Sequence, residues 1–167
     1  MNEIIKNRRS IRKFHSDKTV TKEQINQMLG AAMAAPSACN SRPWEFIAIT
    51  KREKLDEIAR VHPFSGMCAT ATAAIVVVAV PQTEGPIGFF PQDCAAATQN
   101  ILLEAVSLEL GACWCGVYPN YEIIPGIRAL FGIDEPKIPF CIIAIGKPAE
   151  APAPRGFFEA VKVQYIE

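Results

Sequence analysis

Residues 7–14 read Asn-Arg-Arg-Ser-Ile-Arg-Lys-Phe, three arginines, a lysine and a serine hydroxyl within eight positions. From Met1 to Lys18 the chain carries Lys6, Arg8, Arg9, Arg12, Lys13 and Lys18 against Glu3 and Asp17. This is a local excess of four in a protein whose formal net charge is zero. A guanidinium presents a planar fork of donors that matches phosphate oxygens, and a nearby hydroxyl adds one more donor. The cluster therefore predicts a grip on a small phosphate. A solvated helix face accounts for the charges but leaves the serine without a part. Nucleic-acid binding is a competing use, and zero net charge with no second basic patch counts against it.

Other chemistries lack their residues. The GxSxG nucleophile elbow, the HExxH metal helix, the Walker loop and the GxGxxG dinucleotide turn are all absent. His15 and His62 are the only histidines and lie far apart, so no metal site is expected. The six cysteines (Cys39, Cys68, Cys94, Cys113, Cys115 and Cys141) form no CxxC pair and stand mostly among apolar residues. They read as free thiols of a reducing compartment. Cys113 and Cys115, two apart, would share one face of a strand. With no protein nucleophile or base in view, hard chemistry falls to a bound cofactor, whose phosphate the basic cluster would hold.

The elements that must position these residues follow from patterning. Asn2–Asn7 predicts a short helix. Thr21 and Gln24 form a capping-box pattern ahead of Ile25, Met28, Leu29 and Ala32, an amphipathic helix that stops at Pro36. Residues 35–44, punctuated by Pro36, Ser37, Asn40 and Pro43, predict a loop. Strands are expected over 45–50, 74–80, 112–118 and 140–146. The second is apolar on both faces and hence central. A charged helix is expected over 51–60, a short one over 125–131 ending at Gly132, and a long one from an Asp93 N-cap through Leu110. The low charge of that long helix predicts burial all round, with a second subunit covering it. Alternating strands and helices predict a three-layer α/β/α sandwich built as a dimer. After Gly146 the chain turns proline-rich, and residues 161–166 alternate like an edge strand suited to pairing with a partner's sheet. The apolar run 73–80 is too short for a membrane span of about 20 residues. No signal peptide is expected.

Four stretches, in order, resemble the FMN-dependent nitroreductase family: 7–14, then Ala-Pro-Ser-Ala-Cys-Asn-Ser-Arg-Pro-Trp-Glu-Phe (35–46), then 93–105 leading into Gly-Ala-Cys-Trp-Cys-Gly (111–116), and finally 143–148 with Ala-Pro-Arg downstream. The resemblance implies an α+β fold with a mixed central sheet flanked by helices. It also implies one FMN-binding domain over 1–146 and a C-terminal arm, 147–167, exchanged in a homodimer. It implies that Arg8 and Ser10 hold the FMN phosphate and ribityl end, with Arg9 adding lesser contacts. Arg12 would face the N1/O2 edge of the flavin, where a guanidinium favours the anionic reduced form. Arg155 matches a late phosphate-binding arginine. Pro36, Ser37 and Asn40 match residues that reach FMN from the other subunit. Cys113, Trp114, Cys115 and Gly116 match the strand whose backbone lies along the flavin near N5. Arg42 and Ala153 depart from the family pattern, where Gln and Lys are frequent. Cys39, in the flavin loop, is the thiol whose reactivity merits a test.

The function implied is a cytoplasmic oxidoreductase that passes hydride from NAD(P)H through FMN to a small electron-poor acceptor. A nitroaromatic or quinone would serve, in a ping-pong cycle without a dinucleotide fingerprint. No protein catalytic residue, metal, nucleic acid or membrane partner is expected. Two alternatives share the cofactor: a specialised dehydrogenase or dehalogenase of the same fold, and a non-catalytic flavin-storage protein.

Overall fold

The computed structural model describes residues 1–167. In chain order the elements are α1 (Glu3–Asn7), α2 (Lys22–Met33), β1 (Trp44–Ile49), α3 (Arg52–Val61), β2 (Ala73–Ala79), α4 (Phe90–Ser107), β3 (Gly111–Gly116), α5 (Ile124–Phe131) and β4 (Ile138–Gly146). The strands form one sheet of order β1-β2-β4-β3. β2 is buried over its whole length and sits between neighbours on both sides. Its alternate residues feed two separate cores. Ile75 and Val77 pack with Met28 of α2 and Ile101 of α4, whereas Val76 and Val78 pack with Leu55 and Ile58 of α3 and Ile127 of α5. A period-2 strand between two helical layers must be apolar on both sides, and that pattern makes the three-layer sandwich. Each fully buried Ile or Val in it contributes roughly 1.5–3 kcal/mol.

Local sequence chemistry marks the helix ends as expected. Thr21 Oγ1 accepts from the Gln24 amide at 3.2 Å while Gln24 Oε1 accepts from the Thr21 amide at 3.0 Å. Gly132 closes α5 in the left-handed region, with φ of 62°.

Two expectations differ. The sheet is antiparallel at every strand pair, and the parallel component of the expected mixed sheet is a single bridge between Ser10 and Ala112. Asp93 is not an N-cap: α4 begins at Phe90 with Pro91 in its first turn, and Asp93 lies inside the helix. Within the single chain α4 buries one face, through residues such as Cys94, Ala97, Ile101 and Leu102, and Ala95, Ala96, Gln99 and Leu103 are half-buried; the remaining cover is expected from a second subunit. The strand expected over 161–166 is one that adds to a partner's sheet, which lies outside a single chain. Within the single chain the arm has a short 3-10 turn at Ala160–Lys162.

Candidate active site

Two glycines place the basic cluster. Residues 10–15 run along β3 and the end of β4: Ser10 bridges Ala112, Ile11 N–H donates to Ala112 O at 3.0 Å, and Phe14 bridges Pro148. Ile11 and Phe14 point inward and are buried, at 8% and 6% exposure. They lie flat on glycine: a Cβ at Gly111 would come within 2.8 Å of Ile11, and one at Gly146 within 2.9 Å of Phe14. With Ile11 inward, Ser10 and Arg12 fall on the opposite side, so Arg8, Arg9 and Ser10 are half-buried and Arg12 is exposed. Glu150 fastens the segment from the arm, its Oε1 accepting from the amides of Arg12 at 2.5 Å and Lys13 at 3.1 Å. Those bonds, the Arg12 amide foremost, hold the Glu150 carboxyl below its ordinary 4.5.

This strand addition brings Arg12 beside Cys113, Trp114, Cys115 and Gly116 in one cleft of about 640 Å³. Its other wall is Pro63, Phe64, Gly66 and Met67, on the turn between α3 and β2. His62, fully buried, ties the two walls together. Its Nδ1 accepts from the Phe64 amide at 3.1 Å, which leaves Nε2 to donate to Gly116 O at 2.8 Å. Phe64 stands 72% exposed at the mouth. Sequence reasoning passed over this wall, although a Pro-Phe-Ser-Gly turn with a large aromatic is a signal for a loop that meets ligand.

The Arg12 guanidinium at the cleft has no carboxylate ion pair, and neither do the arginines near it in sequence or on the arm. None of the eight ion pairs of the chain involves Arg8, Arg9, Arg12 or Arg155. Arg12 and Arg8 are close enough to Cys113 to favour its thiolate. Together with the neighbouring Cys115, the largest influence, they hold Cys113 below the ordinary thiol value against the effect of burial.

The remaining predicted residues stand apart within a single chain. Arg9 donates to Ala153 O, which occupies it with the arm. Arg155 lines a separate hollow of about 320 Å³ with Glu3 and Lys6. Pro36, Ser37 and Asn40 lie on the loop between α2 and β1 and do not line the cleft. That loop is tightly set. Ser37 Oγ accepts from the Arg42 amide at 2.9 Å, Asn40 Oδ1 accepts from Arg42 Nε at 3.0 Å, and Cys39, Asn40 and Arg42 all hold positive φ. Asp93 is its anchor, Oδ1 accepting from the Ala38 amide at 3.0 Å. Arg42 is thus a structural member of the loop.

The family model described as the nitroreductase family matches residues 5–65 and 62–147. A protein of Methanothermobacter thermautotrophicus named NADH dehydrogenase/NAD(P)H nitroreductase is 48% identical over 161 residues, covering 96% of this chain and 84% of its own. The FMN-dependent nitroreductase of Clostridium difficile R20291 superposes with a TM-score of 0.91 at 30% identity, over 100% of this chain and 99% of that one. A nitroreductase of Desulfovibrio desulfuricans, solved in complex with FMN, superposes with a TM-score of 0.81 at 29% identity, over 99% and 95% of the two chains.

Proposed function

The chain belongs to the nitroreductase family, and from that premise we propose that it is an FMN-dependent oxidoreductase taking electrons from NAD(P)H. The observation that carries this reading is Arg12, a cation with no carboxylate partner, standing in one cleft with the backbone of Cys113–Gly116. Flavin mononucleotide fits these residues. The cleft has a strand for its floor and Phe64, Met67 and Trp114 for apolar walls. Half-buried Arg8 and Ser10 stand four and two residues upstream of Arg12 to meet a phosphate. When bound, FMN supplies acceptance and donation of hydride, alternately with NAD(P)H and with an electron-poor acceptor such as a nitroaromatic or quinone.

The work of the chain is binding and electrostatics. The Arg12 guanidinium places positive charge at the edge of the cleft, where it stabilises an anionic ligand more than a neutral one. Arg8 and Ser10 give charge-assisted and neutral hydrogen bonds to phosphate, with Arg9 lending lesser contacts. The strand backbone of Cys113–Gly116 offers polar groups that need no particular side chain. His62 holds Gly116 and Phe64 at a fixed separation, so the cleft keeps its width as donor and acceptor alternate. No side chain here is assigned a proton transfer, and water at the open mouth serves that step.

The protein acts as a homodimer in this reading. Phe157, Phe158, Val161, Tyr165 and Ile166 of the arm are exposed, from 72% to 93%. So large an apolar set on one short segment favours burial against a second copy. The partner subunit would bring Pro36, Ser37 and Asn40 of its own loop to the cleft, and the 147–167 arm would bring Arg155. A cytoplasmic location accords with the free thiols, and no helix is long and apolar enough to cross a membrane.

The test is an absorbance spectrum of the purified protein, then anaerobic addition of NADH and of NADPH. Bound flavin bands that bleach within seconds are expected, and whichever nucleotide acts faster is the donor. A colourless protein that takes up no added FMN overturns the reading. A yellow one that neither nucleotide bleaches leaves a flavin-binding protein without this activity.

A further inference from the structure

Asp93 and Cys94, adjacent near the start of α4, hold the two ends of the loop between α2 and β1. Asp93 Oδ1 accepts from the Ala38 amide at 3.0 Å, and Cys94 Sγ donates to Pro43 O at 3.5 Å. Both residues are buried, Asp93 at 6% exposure and Cys94 at 0%. Between those ends the loop is folded on itself. The Asn40 amide donates to Ser37 O and the Ser41 amide to Ala38 O, each at 3.0 Å, and Ser37 and Asn40 both accept from Arg42. Cys39, Asn40 and Arg42 carry φ of 51°, 54° and 48°, a conformation that costs a residue with a side chain. The same three residues are exposed.

This is a costly construction for a connection between a helix and a strand. Asp93 adds to the cost, because its Oδ2 is buried with no hydrogen-bond partner, as is Ser41 Oγ. A buried carboxylate with an idle oxygen lowers stability, so folding alone does not explain it. Strain of this kind collects where a chain must present a fixed shape to a ligand. The loop presents nothing to the cleft of its own chain, since no residue of 36–43 lines that cleft.

On the FMN reading above, with its second subunit, we propose that Asp93 is a positioning residue of the flavin site. By holding the Ala38 amide it fixes the 36–42 loop in the shape that the partner subunit's cleft receives. Asp93 itself touches no ligand. Its acceptor sets where Ala38 sits, and Ser37 and Asn40, bonded to each other across Ala38, follow. The role needs an acceptor at Oδ1 rather than a charge, so asparagine is a sufficient replacement and alanine is not. Ala38→Pro deletes the same bond from the other end. It removes the amide donor at the first position of a short helical turn, where a proline ring fits, and Ser37 before it is already extended with ψ of 155°.

The experiment measures FMN affinity by fluorescence titration of the full chain, and amide exchange at Ala38 in the FMN-free protein. A hydrogen bond to a charged acceptor is of the stronger kind, so its loss in Asp93→Ala is expected to weaken FMN about 10–100-fold. Exchange at Ala38 is expected to quicken by at least about tenfold. Asp93→Asn is expected to stay within about threefold of the parent on both readouts. Ala38→Pro is expected to match Asp93→Ala in FMN affinity, and it serves in its place if Asp93→Ala does not fold. Hybrid dimers of an Asp93→Ala chain with an Arg8→Ala chain, isolated through two different tags, decide which cleft the loop serves. One tight FMN per hybrid is expected, because both defects then fall on one cleft and leave the other intact. A folded Asp93→Ala protein with parental FMN affinity overturns the proposal. So does an Asp93→Asn protein as weak as the alanine variant, or a hybrid with no tight site. A parent chain that takes up no FMN overturns the functional reading and this proposal with it, an outcome distinct from those three.

Discussion

Gly111→Ala is a one-methyl perturbation whose consequence follows from the packing of Ile11. The added Cβ would lie 2.8 Å from Ile11 Cβ, 2.8 Å from Cγ2 and 2.9 Å from Cγ1, whereas ordinary contact begins near 3.4 Å. Rotating χ1 cannot relieve this, because the Ile11 Cβ, fixed by its backbone, is among the clashing atoms. The 9–12 backbone must retreat by at least 0.6 Å, the difference between 3.4 and 2.8. That stretches the Ile11 amide bond to Ala112 O from 3.0 to about 3.6 Å, outside hydrogen-bonding range. Losing that bond costs roughly 1 kcal/mol. Overpacking adds about 1–3 kcal/mol, and the lower chain entropy of alanine in the unfolded state returns about 0.4–1 kcal/mol. The net is roughly 2 kcal/mol, or about 4–8 °C in Tm for a chain of this size. Because Arg8, Ser10 and Arg12 ride on the retreating segment, FMN affinity is expected to fall about tenfold, equivalent to ~1.4 kcal/mol. Thermal unfolding followed by circular dichroism reads the first number and fluorescence titration with FMN reads the second. Gly30→Ala is the control: nothing lies within 4 Å of its added Cβ, and a mid-helix alanine stabilises by roughly 0.5–1 kcal/mol. A Gly111→Ala protein as stable as its parent refutes the packing argument. One that loses stability yet keeps its FMN affinity refutes the coupling of this packing to the site.

Other perturbations separate the parts of the cleft. Arg8→Ala and Ser10→Ala are expected to purify largely without flavin, and full yellow colour in both would remove their phosphate role. Arg12→Ala should keep flavin but lower its two-electron potential by about 20–40 mV, since ~30 mV corresponds to 1.4 kcal/mol; xanthine oxidase titration against reference dyes reads it, and an unchanged potential would place Arg12 away from the reacting ring. His62→Ala leaves the Phe64 amide and Gly116 carbonyl without partners beside a cavity. A loss of about 3 kcal/mol in urea unfolding is expected, and a loss under 1 kcal/mol would deny His62 its role as tie between the walls. The Glu150 carboxyl is depressed in the folded protein, so its contribution is complete above its ordinary 4.5 and is lost as pH falls through the lower folded value. Glu150→Gln is expected to flatten stability across that acid window, and parallel acid limbs for parent and variant would show that the carboxylate contributes nothing there.

Much of the fold was legible because its signals are local. A capping box needs only Thr21 and Gln24, and an apolar run on both faces over 74–80 announces a strand covered on both sides. The basic cluster was legible for the same reason, as three arginines and a serine within five positions need no tertiary contact to be noticed. The misreadings all turn on partners distant in sequence. Asp93 has the chemistry of an N-cap, but in the fold its carboxylate meets the Ala38 amide, 55 residues away, and the helix start passes to Phe90 and Pro91. Strand direction likewise depends on which strands pair, and Trp44–Ile49 looks the same whether its neighbour runs parallel or antiparallel. The reach of Glu150 to the Arg12 amide spans 138 residues, and that of His62 to Gly116 spans 54. Residue types and their short-range spacing are properties of the chain, set when it is made. The cleft belongs to the fold, because Arg12, Phe64 and Gly116 meet only after the sheet has closed and Ile11 has settled on the bare backbone of Gly111.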